Sequence, residues 1–265
     1  MGGARTGANT RRDALRAALA AGCAAASGSA RAADDAVTLS VGWGNSPPYQ
    51  IETPQGPVGL DIELMTLWAR AAGVKLQWVR ATWARQLLEA QAGTLDLMLS
   101  ATPSDERRAF ADFTQAYRQE YLGLVALAGR GLEVSHLGEL AGRPVKIGVM
   151  RGMAMPPSVA QAMAQPALQH ALVPMRGDDL TLAALRAGRL TYILGDTVSL
   201  NAHAARDPGE PVSVALAFKE EPVHVLVSRH AMARVPGLLN RLNEALHRAR
   251  ATPAWTHTLA RYPKA

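Results

Sequence analysis

The run Ser100-Ala101-Thr102-Pro103-Ser104-Asp105-Glu106-Arg107-Arg108 places two hydroxyls, a helix-capping serine and an arginine within a few residues of one another. Thr102-Pro103 ends the apolar stretch before it, and Ser104 can cap a helix that carries Arg107 in its first turn. Backbone N–H groups, hydroxyls and a guanidinium would then converge where a strand gives way to a helix. That set suits an anion, above all a carboxylate, which arginine grips with two parallel hydrogen bonds. Cations are disfavoured at a helix N-terminus, so Arg107 there calls for an anionic partner. The same spacing equally fits a surface arginine paired with Asp105, Glu106 or Asp112.

Other chemistry finds little support. The nearest approach to a nucleophile elbow, Gly44-Asn45-Ser46-Pro47-Pro48, lacks the second glycine. There is no phosphate loop ending in Gly-Lys-Ser/Thr, and no G-x-G-x-x-G follows a strand. The histidines at 136, 170, 203, 224, 230, 247 and 257 include no H-E-x-x-H motif and no i,i+4 pair, so no metal site is expected. The single cysteine, Cys23, excludes an internal disulfide and a Cys-rich zinc module.

The elements that must position the Ser100–Arg107 cluster alternate in type. Val37–Gly42 reads as a buried strand, and Gly44–Pro48 as a turn. Gly59–Ala72 places Leu60, Leu64, Leu67, Trp68 and Ala71 at helical spacing, with Gly73 as its stop. Val74–Val79 is a second strand, Trp83–Ala92 a helix ended by Gly93, and Asp96–Ser100 a third strand. Further strands start at Val145–Met150 and Tyr192–Leu194, and further helices cover Leu180–Ala187 and Leu238–Arg248. Such alternation predicts an α/β chain with mostly parallel sheets, whose ligands sit beyond the carboxyl ends of the strands.

With 265 residues, 48% of them apolar, the chain can bury a sizeable core and is long enough for two lobes. The formal charge of +6 suggests nucleic acid until the basic residues are located. Residues 1–32 hold arginines 5, 11, 12, 16 and 31 against one acid, Asp13. A basic start, an Ala-rich run over 17–26 and Ala30-Arg31-Ala32 form a signal peptide, and Arg11-Arg12 followed by Leu15 resembles the twin-arginine type. Cleavage is expected after Ala32, in preference to lipidation at Cys23 within a faint Leu19–Cys23 lipoprotein box. The remainder carries 23 basic and 21 acidic residues, a net charge of about +2 with no nucleic-acid footprint. No later stretch reaches the length of a membrane span, so the mature chain is expected to be exported and soluble.

The succession VTLSVGWGNSPPY, GLDIELM, W-x3-LL-x6-LD and SATPSDERRAFADFTQAY resembles the family-3 bacterial extracellular solute-binding proteins, over about Val37 to Tyr262. The resemblance implies a two-lobed periplasmic binding protein of type II, a Venus flytrap with two hinge strands. Lobe 1 would take 37–127 plus 222–265, and lobe 2 would take 128–221. It implies a periplasmic receptor of an ABC importer that binds an amino acid or similar small carboxylate. Its partner would be a permease in the inner membrane. No cofactor is implied, and the protein would be a monomer.

By the same resemblance Arg107 takes the place of the arginine on the ligand's α-carboxylate, with Thr102 and Ser100 in the hydroxyl-bearing loop beside it. GRLTYILGD at 188–196 resembles the second-lobe strand ending in an aspartate, which puts Asp196 opposite the α-ammonium. Trp83 falls at the apolar wall of the side-chain pocket. Trp43 and Tyr49 are candidates for the opposite wall, core packing being the other reading of each tryptophan. In KIGVMRGMAM the family's Gly-Thr-Thr becomes Gly152-Met153-Ala154, so hydroxyl donors are lost while Met150, Met153 and Met155 add adaptable apolar surface. This departure admits a bulkier or more apolar ligand. Two alternatives share the fold: a dehydratase of the cyclohexadienyl type, with Glu63, Glu89, Glu120 or Asp196 as general acid, and a periplasmic sensor or accessory binding protein.

Overall fold

The computed structural model describes residues 36–130, 134–206 and 209–262. The signal-peptide, cleavage and Cys23 expectations fall on residues 1–35, outside the described residues. The strands, in chain order, are β1 (Thr38–Trp43), β2 (Ile51–Thr53), β3 (Gly56–Val58), β4 (Lys75–Arg80), β5 (Leu97–Ala101), β6 (Ala111–Phe113), β7 (Arg118–Glu120), β8 (Leu122–Leu127), β9 (Ile147–Met150), β10 (Leu172–Met175), β11 (Tyr192–Asp196), β12 (Val212–Ala217) and β13 (Glu221–Ser228).

Two sheets organise them. The first runs β4–β1–β5–β13–β6, with β7 also paired to β13, and the second runs β10–β9–β11–β8–β12. In the first, β1 is parallel to β5 while β13 is antiparallel to β5 and β6. In the second, β9, β10 and β11 are parallel, β8 runs against them, and β12 is antiparallel to β8 and so follows their direction. The expected parallel sheets are therefore mixed at the positions where the chain crosses from one lobe to the other. The first crossing lies at Tyr121, between β7 and β8, and the return lies at 218–220. The sequence alone puts 122–127 with the first lobe. Its pairing places it in the second sheet, where Leu122 lies opposite Asp196 and Val125 opposite Ile193.

Helices cover both sheets for the reason the spacing indicates. Leu60–Ala72 buries Leu64, Met65 and Trp68 on one stripe, and the Trp68 indole N–H donates to the Leu242 carbonyl at 2.7 Å. That bond ties it to the helix Leu238–Arg250. Leu60–Ala72 and Trp83–Ala92 stop at Gly73 and Gly93, both in the left-handed conformation that closes a helix. The second lobe buries Leu124, Ile147, Tyr192 and Leu194 in one cluster. Each such side chain contributes about 1.5–3 kcal/mol by leaving water. Among the described residues no helix is long and apolar enough to cross a membrane.

Candidate functional site

A cavity of about 590 Å³ opens where β5 and β11 end and where the loops after β1 and β9 face each other. Those are the carboxyl ends of sheet strands from both lobes, where open α/β sheets bind ligands. Arg107, Thr102, Ser100, Asp196, Trp83, Met150 and Met153 all border it.

Arg107 lies on the short helix Asp105–Arg108, whose N-cap Ser104 accepts from the Arg107 backbone N–H at 3.3 Å. The side chain is 4% exposed. Its Nη1 donates to the Thr102 carbonyl and its Nη2 to the Gly152 carbonyl at 2.7 Å, and its guanidinium lies 5.2 Å from the centre of the Trp83 ring. Burial draws its pKa down, against the opposing charges of Glu106 and Glu120. Among the described residues it forms no salt bridge. A desolvated cation without a carboxylate partner, bordering a cavity, has the chemistry to take an anion.

Ser100 is the one non-glycine residue with a positive φ among those described, at 54°. Its hydroxyl donates to Asp61 and accepts from Arg118 Nη2 at 2.8 Å, so its proton is spent inside the protein. Asp61 is fully buried and pairs with Arg118 Nε at 2.7 Å. Burial alone raises the Asp61 pKa. The charge and hydrogen bonds of Arg118, helped by Ser100 and Gln50, reverse that and hold it below its ordinary value. The Arg118 guanidinium in turn stacks 3.6 Å from the centre of the Tyr49 ring.

Tyr49 is therefore fixed from beneath, and its hydroxyl donates to Asp196 at 3.3 Å. Its backbone is fixed too, because the Asp61 N–H bonds the Tyr49 carbonyl at 2.9 Å and Gly59 packs against that carbonyl. Gly59 has φ 114°, and a Cβ there would stand 2.5 Å from the Tyr49 oxygen. Gly59→Ala is expected to lower stability by about 2–3 kcal/mol, read from urea unfolding, since strain and a backbone clash coincide. A loss under half a kilocalorie would show that the loop yields freely.

In the second lobe Asp196 ends β11 and accepts from the Ser199 N–H at 2.7 Å and the Tyr121 N–H at 3.1 Å. Burial nevertheless raises its pKa, against the pull of Arg118 and these bonds, so its negative charge is not fully compensated. Asp178 also borders the cavity and is raised by burial. Its carboxylate accepts from Ser46 at 3.4 Å and Ser199 at 3.3 Å, and His203 Nε2 stands 3.8 Å away. The two lobes touch at Ser46–Ser199 (2.8 Å), at Tyr49–Asp196 and at the Gly152 carbonyl, which also accepts from Trp83 Nε1 at 3.0 Å.

Several expected residues are placed differently from the sequence reading. Trp43 is buried and does not border the cavity, because its position at the end of β1 turns it into the core. Tyr49 reaches the site only through its hydroxyl, and its ring faces a second, largely apolar hollow with Tyr117 and Tyr262. Gly152 is absent from the cavity lining, which its neighbours Met150, Met153 and Ala154 supply, and its carbonyl accepts from Arg107. Glu120, named by the sequence only as a possible general acid, borders the cavity. Period-two alternation along β7 sets it on the same face as Arg118, and that pair of charges in Arg118-Gln119-Glu120 is the signal available in the sequence. Among the described residues no group of three or more His, Cys, Asp or Glu is placed to hold a metal ion.

Two α/β lobes that meet around a cavity, bordered by a buried arginine from one and a half-buried aspartate from the other, define a two-lobed binding protein. Residues 39–265 match the bacterial extracellular solute-binding proteins, family 3, and the chain belongs to that family. The family is defined by binding a solute, and the dehydratase alternative gives way to it. The chain is 26% identical over 180 residues to a probable histidine-binding protein of Campylobacter jejuni, a match covering 66% of each. It is 23% identical over 219 residues to a probable histidine-binding protein of Neisseria gonorrhoeae, covering 81% of this chain and 78% of that one. A solved ancestral arginine-binding protein bound to arginine superposes with a TM-score of 0.73 at 22% identity, over 86% of this chain and 98% of the other, and shows the shared fold.

Proposed function

We propose that the chain is a periplasmic amino-acid receptor that delivers its ligand to the permease of an ABC importer, after removal of residues 1–32. Arg107 holds the α-carboxylate and Asp196 the α-ammonium, each meeting the opposite charge it lacks among its protein partners. Thr102 borders the carboxylate position, and Trp83, Met150 and Met153 supply the walls. The observation that carries this reading is that one cavity is bordered by a buried arginine without a carboxylate partner and by a half-buried aspartate whose pKa desolvation raises. The names of the relatives, histidine- and arginine-binding, support an amino acid over other small carboxylates.

A thermal-shift screen of the mature protein against the twenty amino acids tests it. A ligand present at a hundred times its Kd stabilises the folded state by about 2.7 kcal/mol. For a protein of this size that raises Tm by about 5–10 °C. If no amino acid moves the melting curve, the assignment fails.

A further inference from the structure

Glu120 is the acid at the site that none of the roles above employs. Its carboxylate has no hydrogen-bond or salt-bridge partner among the described residues, yet it borders the same cavity as Arg107 and Asp196. Its neighbour on the same strand face, Arg118, acts on it without a hydrogen bond or ion-pair contact, its bonds being directed elsewhere. Two of the Arg118 nitrogens are engaged by Asp61, one of them also by Ser100, and the third donates to the Gln119 carbonyl. Once a zwitterionic ligand places its carboxylate on Arg107 and its ammonium on Asp196, Glu120 remains as an acid with no counter-charge in contact with it. A half-buried, largely desolvated charge in that condition recruits one.

We infer that Glu120 reads the side chain of the bound amino acid, taking a cation carried on it and so selecting basic amino acids over neutral ones of the same shape. The inference rests on the amino-acid reading of the site given above. Several charges act on the Glu120 carboxyl. Burial, with Asp196 and more weakly Asp61, raises its pKa to about 7, against the pull of Arg118 and Arg107, and Glu221 lies opposite it in the β7–β13 ladder. At neutral pH the group is therefore partly protonated. A cation arriving beside it favours the anion and expels the proton, so binding of a basic amino acid releases protons and strengthens as pH rises from 6 to 8. A neutral isostere brings no such release.

Calorimetry on the mature protein with L-arginine against L-citrulline, and L-lysine against L-norleucine, tests this. In the wild type the basic member of the tighter pair is expected to bind roughly thirtyfold more strongly than its neutral partner. Glu120→Gln should bring that ratio to within about threefold, and Glu120→Asp should keep part of it. In two buffers of different ionisation enthalpy at pH 7, the wild type should release a measurable fraction of a proton with the basic ligand, and E120Q should not. A purely structural role would shift both members of a pair equally and leave the proton count unchanged. Equal wild-type affinities within both pairs, or an unchanged ratio in E120Q, overturns the role of Glu120 while leaving the amino-acid receptor standing. If none of the four compounds nor L-histidine binds the wild type while another of the twenty amino acids does, the role of Glu120 falls alone; if none of the twenty binds, both readings fall together.

Discussion

Arg107→Ala is expected to weaken amino-acid binding by more than about a hundredfold, while the unliganded protein still folds. The guanidinium is buried against Trp83, where water cannot replace it. Removing one member of a buried charge pair costs about 3–5 kcal/mol, because the surviving charge is left desolvated and alone. At 1.4 kcal/mol per tenfold, that is two to three orders of magnitude in Kd. Lysine at the same position retains the charge but loses the planar fork, so R107K should fall between wild type and alanine. The measurement is titration calorimetry with whichever amino acid gives the largest thermal shift. A change of less than threefold in R107A would remove Arg107 from the site.

The second large effect concerns stability. Asp61→Ala strands the Arg118 guanidinium, whose side chain is 7% exposed, without its one carboxylate contact among the described residues. A loss of about 3–5 kcal/mol follows. In a protein of this size that lowers Tm by about 10 °C, visible by differential scanning calorimetry. Replacing both residues with apolar ones of similar volume, as in D61L/R118M, should recover part of the loss, since the pair itself is costly to desolvate. The acid limb follows from the direction of the shift. The folded pKa of Asp61 lies below that of the unfolded chain, so its contribution is present above the unfolded value, near 4, and disappears as pH falls through the folded one. If D61A melts within 2 °C of the wild type, the pair is structurally idle.

Much of this architecture is legible from local pattern. The helix Leu60–Ala72 announces itself through leucines at helical spacing and a glycine stop, and Ser104 through its cap position. Strands whose identity depends on distant partners are less readable. β13 carries an ordinary apolar run, but only its insertion between β5 and β6 makes it the return crossing, a pairing more than a hundred residues away in sequence. The site divides along the same line. Arg107 and Ser100 stand on one short segment whose residue types suggest anion binding. Asp61 and Arg118, by contrast, are ordinary charges until the fold brings them together beneath Ser100. Trp43 and Tyr49 show the limit from the other side, since type and position suggest a wall, whereas strand direction decides which face a ring takes.

The Gly152 carbonyl, seated between Trp83 and Arg107, sets a timescale as well as a geometry. With Ser46–Ser199 and Tyr49–Asp196 it links the two lobes beside the cavity, so the lobes part only when several bonds break together. Escape is then governed by how often the lobes part rather than by how firmly the solute is held. Two ligands of unequal affinity can share nearly the same dwell time, their difference falling on capture. Weakening these links, as with Ser199→Ala, which deletes the hydroxyl bonded to Ser46, is expected to shorten that dwell whatever the ligand.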